Sequence, residues 1–405
     1  MKKSAIIAII ACLMMPMMLF GQTYSSLWKK AEEAEKKDLP KSQYETLQKI
    51  VQKATKEKVY GQLLKAELNA CQVMQSIAPD SIRPAVERIQ QRCDATQDPV
   101  LKVVYQTVLW RVWQDNPRLS EEDEEGEVRQ SPAKPILTPD LCERLAQVKE
   151  DDYKPFVETG SDSKVFGHDL LSVVGLELGA YQTLHDFYEK VGNRPAACLM
   201  ALKVAECEER KDDREYLERL DSLIGVYGDL TEAGEIAIER FETMDRMSDA
   251  FTAEAKVDYI HQALDKWGSW HRMNILKNSE AALVRSEYHV GSDQNYRIIT
   301  PMKAQQMPLK YLRNITSLTM KVYAVKADGT LDLNPDFEYD YKKIKPLLGQ
   351  VVYETTRHFS GHQPYDVFED SLVIEGLPVG VYMLEFSSQP NTVVARRLYS
   401  LPTCL

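Results

Sequence analysis

The hydrophobic period of this chain changes once, near residue 290, from the three-to-four spacing of packed helices to strict alternation. Residues three and four apart share a helix face, whereas every second residue shares a strand face, so no single element type satisfies both halves. The chain must therefore hold two dissimilar modules. The reading is an α plus β multidomain protein: an N-terminal α-helical, solenoid-like region followed by an antiparallel β-sandwich.

From Tyr24 to about Ala282 the pattern is that of consecutive amphipathic helices. Tyr44, Leu47, Val51 and Ala54 share one face, and Leu64, Leu68, Cys71 and Gln75 continue the stripe after Gly61. Asp98 before Pro99, and Thr138 before Pro139, each set a capping side chain ahead of a proline that needs no donor. Asp229 with Glu232 resembles a capping box. Leu217, Leu220, Ile224 and Tyr227 form a further stripe, followed by Ile236, Ile238, Phe241 and Met244. Helical pairs of this size in series suggest stacking of the tetratricopeptide sort, strongest over 195–267, although no strict repeat consensus is present. Gly175 and Gly179, four apart in an apolar helix, predict close helix packing.

Within the helical half, residues 115–139 break the pattern. Glu121, Glu122, Asp123, Glu124 and Glu125 repel one another and three prolines follow, which predicts a solvated linker. A calcium loop would need its oxygen ligands spaced around a glycine turn, and this run lacks that spacing.

Met1 to Gly21 reads as a secretory signal: Lys2 and Lys3, then an apolar stretch from Ala5 to Phe20, with cleavage after Gly21. The span is too short to cross a membrane comfortably. A lipoprotein signal acylated at Cys12 is disfavoured, because the apolar run continues through Leu13, Met14 and Met15. The expected location is outside the cytoplasm, in a periplasm or cell envelope. The expected division is signal 1–21, helical region 22–114, linker 115–139, second helical region 140–287, sandwich 288–400 and a short tail 401–405.

A formal charge of -11 and the interleaving of Lys and Arg with acids argue against a nucleic-acid surface, which needs a concentrated basic patch. Loss of Cys12 leaves Cys71, Cys93, Cys142, Cys198, Cys207 and Cys404, whose spacing matches no zinc pattern. An exported protein has room for one or two disulfides, but Cys71, Cys93, Cys198 and Cys207 read first as small apolar residues of helix cores. His358 and His362 flank a turn with no third ligand in view and read as surface histidines. Trp267, Trp270 and His271 read as anchors of the last helix pair rather than a stacking site. No phosphate-cradling loop, metalloprotease motif or nucleophile elbow occurs. Neither a catalytic residue, a cofactor ligand nor a metal ligand is assigned, and the expectation is a protein that is not an enzyme.

In the C-terminal part, Leu318, Met320, Val322 and Ala324 alternate with Thr319, Lys321, Tyr323 and Val325, up to a turn at Asp328 and Gly329. Further strands are expected at 351–358, 371–375, 381–387 and 393–400, with Tyr382, Leu384 and Phe386 on one face. Gly376 to Gly380 supplies a tight link between two of them.

With these elements in place, Leu309 to Val325 (LKYLRNITSLTMKVYAV) and Gly376 to Phe386 (GLPVGVYMLEF) make the chain resemble the N-terminal part of the large bacterial alpha-2-macroglobulin-like proteins found in Bacteroides-type bacteria. The likeness rests on Arg313, Asn314 and Tyr323, and on the Leu377, Pro378, Gly380, Tyr382 hairpin. It is motif-level only over the last hundred or so residues. The resemblance implies a macroglobulin-type sandwich within an endopeptidase inhibitor that traps proteases, covalently through a Cys-Gly-Glu-Gln thioester. That motif is missing; Cys207 comes nearest, followed by Glu208, Glu209 and Arg210. The expectation is the scaffold of such an inhibitor, a truncated product without bait and thioester regions, meeting proteases or envelope proteins. The alternative is a free-standing periplasmic helical-repeat protein that binds a peptide or a partner protein.

Overall fold

The computed structural model describes residues 23–77, 82–116, 119, 130–291, 296–326 and 337–401. The expected signal segment with Cys12, the acidic run 121–125, the turn at Asp328 and Gly329, and Cys404 lie outside the described residues. The chain is α plus β, with helices first and sheets after, and it divides between Cys207 and Glu208 into two compact units.

The first unit contains α1 (Tyr24–Lys36), α2 (Pro40–Glu57), α3 (Tyr60–Ile77), α4 (Ile82–Ala95), α5 (Pro99–Asp115), α6 (Pro139–Gln147), α7 (Leu170–Glu177), α8 (Tyr181–Lys190) and α9 (Arg194–Cys207). Each packs against its sequence neighbour, as short connections dictate. The helix starts follow the expected chemistry. Asp98 accepts from the Val100 amide at 2.9 Å, Thr138 from Leu141 at 3.4 Å, and Pro99 and Pro139 take the first turns. Leu27 and Ala31 of α1, Leu47, Ile50, Val51 and Ala54 of α2, and Leu63, Ala66, Ala70 and Val73 of α3 form one core cluster. Full burial of a Leu, Ile or Val contributes about 1.5–3 kcal/mol each, so these faces hold the helices where isolated propensity would not.

Helix α5 differs because it is apolar nearly all round, burying Val100, Leu101, Val103, Val104, Tyr105, Thr107, Val108 and Leu109. Such a helix belongs inside a layer rather than on its surface. Gly61 lets the 3₁₀ segment Glu150–Tyr153 lie directly on α3: a Cβ there would overlap the backbone carbonyls of Tyr153 and Lys154. Gly175 of α7 similarly admits the Leu184 side chain of α8. Gly179 does not share that role. Helix α7 ends at Glu177, and Gly179 lies beyond it at φ 57°, the left-handed conformation that reverses the chain into α8.

The second unit opens with α10 (Asp213–Tyr227), α11 (Ala233–Arg246), α12 (Ala253–Trp267) and α13 (Asn274–Val284). The expected capping box does not form: α11 begins at Ala233 with Glu232 as an N-cap that makes no side-chain cap bond. The two tryptophans anchor these helices as expected. Trp267 Nε1 donates to the Gly228 carbonyl at 3.1 Å, and Trp270 Nε1 donates to Glu235 at 2.9 Å while its ring covers Gly234. Cys207, expected in a helix core, is exposed because it is the last residue of α9; Cys93, Cys142 and Cys198 are buried and Cys71 is half-buried.

Beyond α13 come β1 (Glu287–Val290), β2 (Tyr296–Ile298), β3 (Gln305–Arg313), β4 (Ser317–Val325), α14 (Phe337–Ile344), β5 (Leu348–His358), β6 (Phe368–Ile374), β7 (Gly380–Gln389) and β8 (Val394–Leu401). One sheet has the order β1-β3-β6 and the other β2-β8-β7-β4-β5. Pairing is antiparallel apart from β2 beside β8, which is parallel and departs from the all-antiparallel expectation. Tyr288, Leu309, Leu312 and Leu372 of the first sheet share a core with Leu318, Met320, Val322, Leu384 and Phe386 of the second. The alternation in β4 thus sends its even-numbered residues inward. Its odd-numbered face is not simply solvated: α14 places Ile344 over Val325, Met383 and Leu398 as a second small core. Farther along that face Arg396, Glu385, Lys321 and Glu354 alternate in sign across four strands, with Arg396 and Glu385 paired at 2.7 Å and Lys321 and Glu354 at 3.6 Å.

The residues that carry the family resemblance have structural duties. Asn314, at φ 53°, donates from Nδ2 to the carbonyls of Leu283 (2.8 Å) and Arg285 (3.2 Å), tying the end of the helices to the turn before β4. Arg313 pairs with Glu287 at 2.7 Å. The Tyr382 hydroxyl donates to the Pro378 carbonyl at 3.3 Å and braces the hairpin from within.

Candidate binding groove in the helical unit

Three helices of the first unit present the same spacing to one open space. Leu68, Cys71, Gln72 and Gln75 of α3 stand at i, i+3, i+4 and i+7. Val104, Thr107, Val108, Arg111, Val112 and Asp115 extend the series over α5, and Leu170, Val173, Val174 and Glu177 repeat it on α7. With Asn116 and the Phe156–Glu158 stretch they bound a groove of about 730 Å³. Each helix gives the space apolar residues (Leu68 and Cys71; Val104, Val108 and Val112; Leu170, Val173 and Val174) with polar ones beside or beyond them. Val104 to Asp115 is eleven steps of helix, so the groove wall runs roughly 16 Å.

The helix ends fix the rim. Gln75 near the end of α3 donates to Asn116 Oδ1 at 3.4 Å, and Arg111 near the end of α5 lies 3.1 Å from Asp115 and 3.4 Å from Glu177, the last residue of α7. These ion pairs are exposed and contribute about 0–1 kcal/mol each. Their value is positional: Arg111 bridges two carboxylates that would otherwise repel.

Beneath α3 lies a buried polar contact. Glu67 is 9 % exposed and pairs with Arg92 of α4, while its Oε2 has no hydrogen-bond partner. Burial raises the Glu67 pKa above the ordinary carboxylate value, and the Arg92 charge offsets only part of that. Cys71, between Glu67 and the groove, is pushed up to about 11 chiefly by burial, so at neutral pH it is a thiol and no nucleophile. At the far end of α7, Asp169 caps the helix through the Ser172 amide at 2.8 Å and accepts the Tyr188 hydroxyl at 3.0 Å. Burial raises the pKa of Asp169 too.

The histidines singled out in the sequence lie elsewhere. His358 ends β5, and His362 stacks flat on Phe368 with ring centroids 3.6 Å apart. Among the described residues no group of three or more His, Cys, Asp or Glu side chains is placed to hold a metal ion, and no helix is long and apolar enough to cross a membrane.

Sequence reasoning found the α3 stripe but not the groove. The α5 residues were invisible as a face because α5 is apolar on every side, and the third wall is a short helix about a hundred residues from the first. No protein-family model matches the chain, and no curated protein matches it significantly.

Proposed function

We propose that the chain is an exported protein-recognition scaffold whose helical unit holds an apolar peptide segment of a partner protein. The observation that carries this is the convergence of three apolar helix stripes on one open groove. Its volume lies within the roughly 300–1,000 Å³ usual for binding sites. Its length suits about three turns of helix or five extended residues, and a long apolar trough fits a row of side chains better than one compact molecule. The thiol facing it is not activated, which favours binding over chemistry.

A panning experiment against a random twelve-residue peptide library tests the reading. Enriched peptides carry apolar residues at regular spacing, and their affinity falls at least tenfold in a Leu68→Gln, Val173→Gln double variant. Both residues are only half-buried, so the fold tolerates the change. Failure to enrich any peptide, or affinity indifferent to the double variant, refutes the reading.

A second reading keeps the helices as a solenoid-like support and the paired sheets as a macroglobulin-type sandwich of an endopeptidase inhibitor. It is favoured by the bracing roles of Asn314 and Tyr382, the residues on which the resemblance rests. Peptide panning distinguishes the two: the support reading expects no enriched peptide whose affinity depends on Leu68 and Val173, and no effect of the chain alone on cleavage of a large protein substrate by trypsin, elastase or subtilisin.

A further inference from the structure

We propose that the segment held in the groove carries a basic side chain at the end where α3, α5 and α7 terminate; this rests on the peptide-binding reading above. The three helices finish at Ile77, Asp115 and Glu177. Their ends lie within side-chain reach of one another, as the Gln75 to Asn116 hydrogen bond and the Arg111 to Glu177 ion pair demonstrate. A helix C-terminus carries the equivalent of about half a negative charge, and three of them share this mouth, although part of that field is taken up by Asn116 on the Val112 and Trp113 carbonyls of α5 and by the Gly179 and Ala180 amides on the Leu176 and Gly175 carbonyls of α7.

The side chains add to that field rather than cancel it. Asp115, Glu158 and Glu177 stand on the rim, and among the described residues the cation in the lining is Arg111. Arg111 is already engaged by two of those carboxylates, and Glu158 has no ion-pair partner among the described residues. Among the described residues the rim therefore keeps a negative balance beside an apolar floor. An ammonium or guanidinium on a long aliphatic stem suits both at once, with its stem along Val112 and its charge at the carboxylates. An acidic peptide end would meet repulsion at the same place, so the groove reads charge as well as hydrophobicity.

The test uses fluorescein-labelled twelve-residue peptides with leucines spaced three and four apart and Lys, Gln or Glu as the last-but-one residue. Anisotropy titrations against the full chain are expected to rank Lys above Gln above Glu, with Lys about fivefold tighter than Gln at 50 mM salt. That ratio shrinks toward one at 0.5 M salt, where screening acts within a few ångströms. In an Asp115→Asn, Glu177→Gln variant the Lys-to-Gln ratio falls below two, whereas Asp140→Asn, a carboxylate outside the groove, leaves it unchanged. Equal affinity of all three peptides, each still weakened by the Leu68→Gln, Val173→Gln double variant, overturns the charge preference and leaves the groove reading standing. Binding of no peptide, or binding insensitive to that double variant, overturns both.

Discussion

Replacing Gly61 by alanine should destabilise the helical unit, against the ordinary helix preference. In a helix interior Ala is normally favoured over Gly by roughly 0.5–1 kcal/mol. At residue 61 the added carbon meets the carbonyls of Tyr153 and Lys154, which are backbone atoms that cannot rotate away. Overpacking costs about 1–3 kcal/mol, and backbone obstruction puts this case at the upper end. The net effect is a loss of about 2 kcal/mol, which for a unit of this size lowers Tm by about 4–8 °C. The same substitution at Gly225 of α10 meets nothing within 4 Å and has no positive φ to lose, so it should raise stability slightly. Differential scanning calorimetry of the two variants gives opposite signs if the packing argument holds. Because the obstructed segment runs on into Phe156 and Val157, Gly61→Ala should also weaken peptide binding. A Tm for Gly61→Ala equal to or above that of the parent would mean that the Tyr153–Lys154 backbone does not obstruct residue 61.

Other consequences are open to measurement. Burial raises the folded-state pKa of Glu67 above the ordinary carboxylate value of 4.5, so the native state holds its proton more tightly than the unfolded chain does. Stability contributed at this site is thus greatest below that value and declines as pH rises toward the raised one; the stability of Glu67→Gln relative to the parent should increase over that window in urea titrations, and a flat difference would contradict it. In the second unit Glu287 behaves oppositely: hydrogen bonding from Arg285, with the nearby Arg313 charge, lowers its pKa, so its contribution is present above 4.5 and lost on acidification, and in urea titrations Glu287→Gln should be less stable than the parent at neutral pH, with the difference shrinking in acid. Trp270→Ala removes the ring over Gly234 and the bond to Glu235, costing about 3 kcal/mol in the unfolding of the second unit by chemical denaturation. With a pKa of about 11, Cys71 is thiolate in roughly one part in a thousand at pH 8, so mass-spectrometric labelling should modify the exposed Cys207 long before it.

What the sequence made legible was local chemistry. Asp98 with Pro99 and Thr138 with Pro139 announced helix starts, because cap and proline act within four residues. The alternation through β4 announced a strand with one buried face, because neighbouring strands on both sides keep it regular. The strand β3 was obscured by Pro308 and by the bulge between Leu309 and Leu312, where Tyr311 sits at φ 52° and period two is interrupted. Met383, on the face of β7 opposite Tyr382, Leu384 and Phe386, is buried together with Leu398, since α14 covers that face from outside the strand pattern. Glu232 shows the limit of a motif: the residue types of a capping box were present, but the helix began immediately after the glutamate, leaving it in the cap position. The groove was illegible for a different reason, being a relation among three helices far apart in sequence.

Hydrogen exchange with and without a peptide enriched from the library tests whether the helical unit binds at its groove. Bound peptide is expected to slow exchange only in 68–75, 104–116 and 170–177, the three walls of the groove, with the sheets of the second unit unchanged. Protection that falls on the sheets, or is spread evenly over the helices with those three stretches unaffected, would contradict binding at the groove.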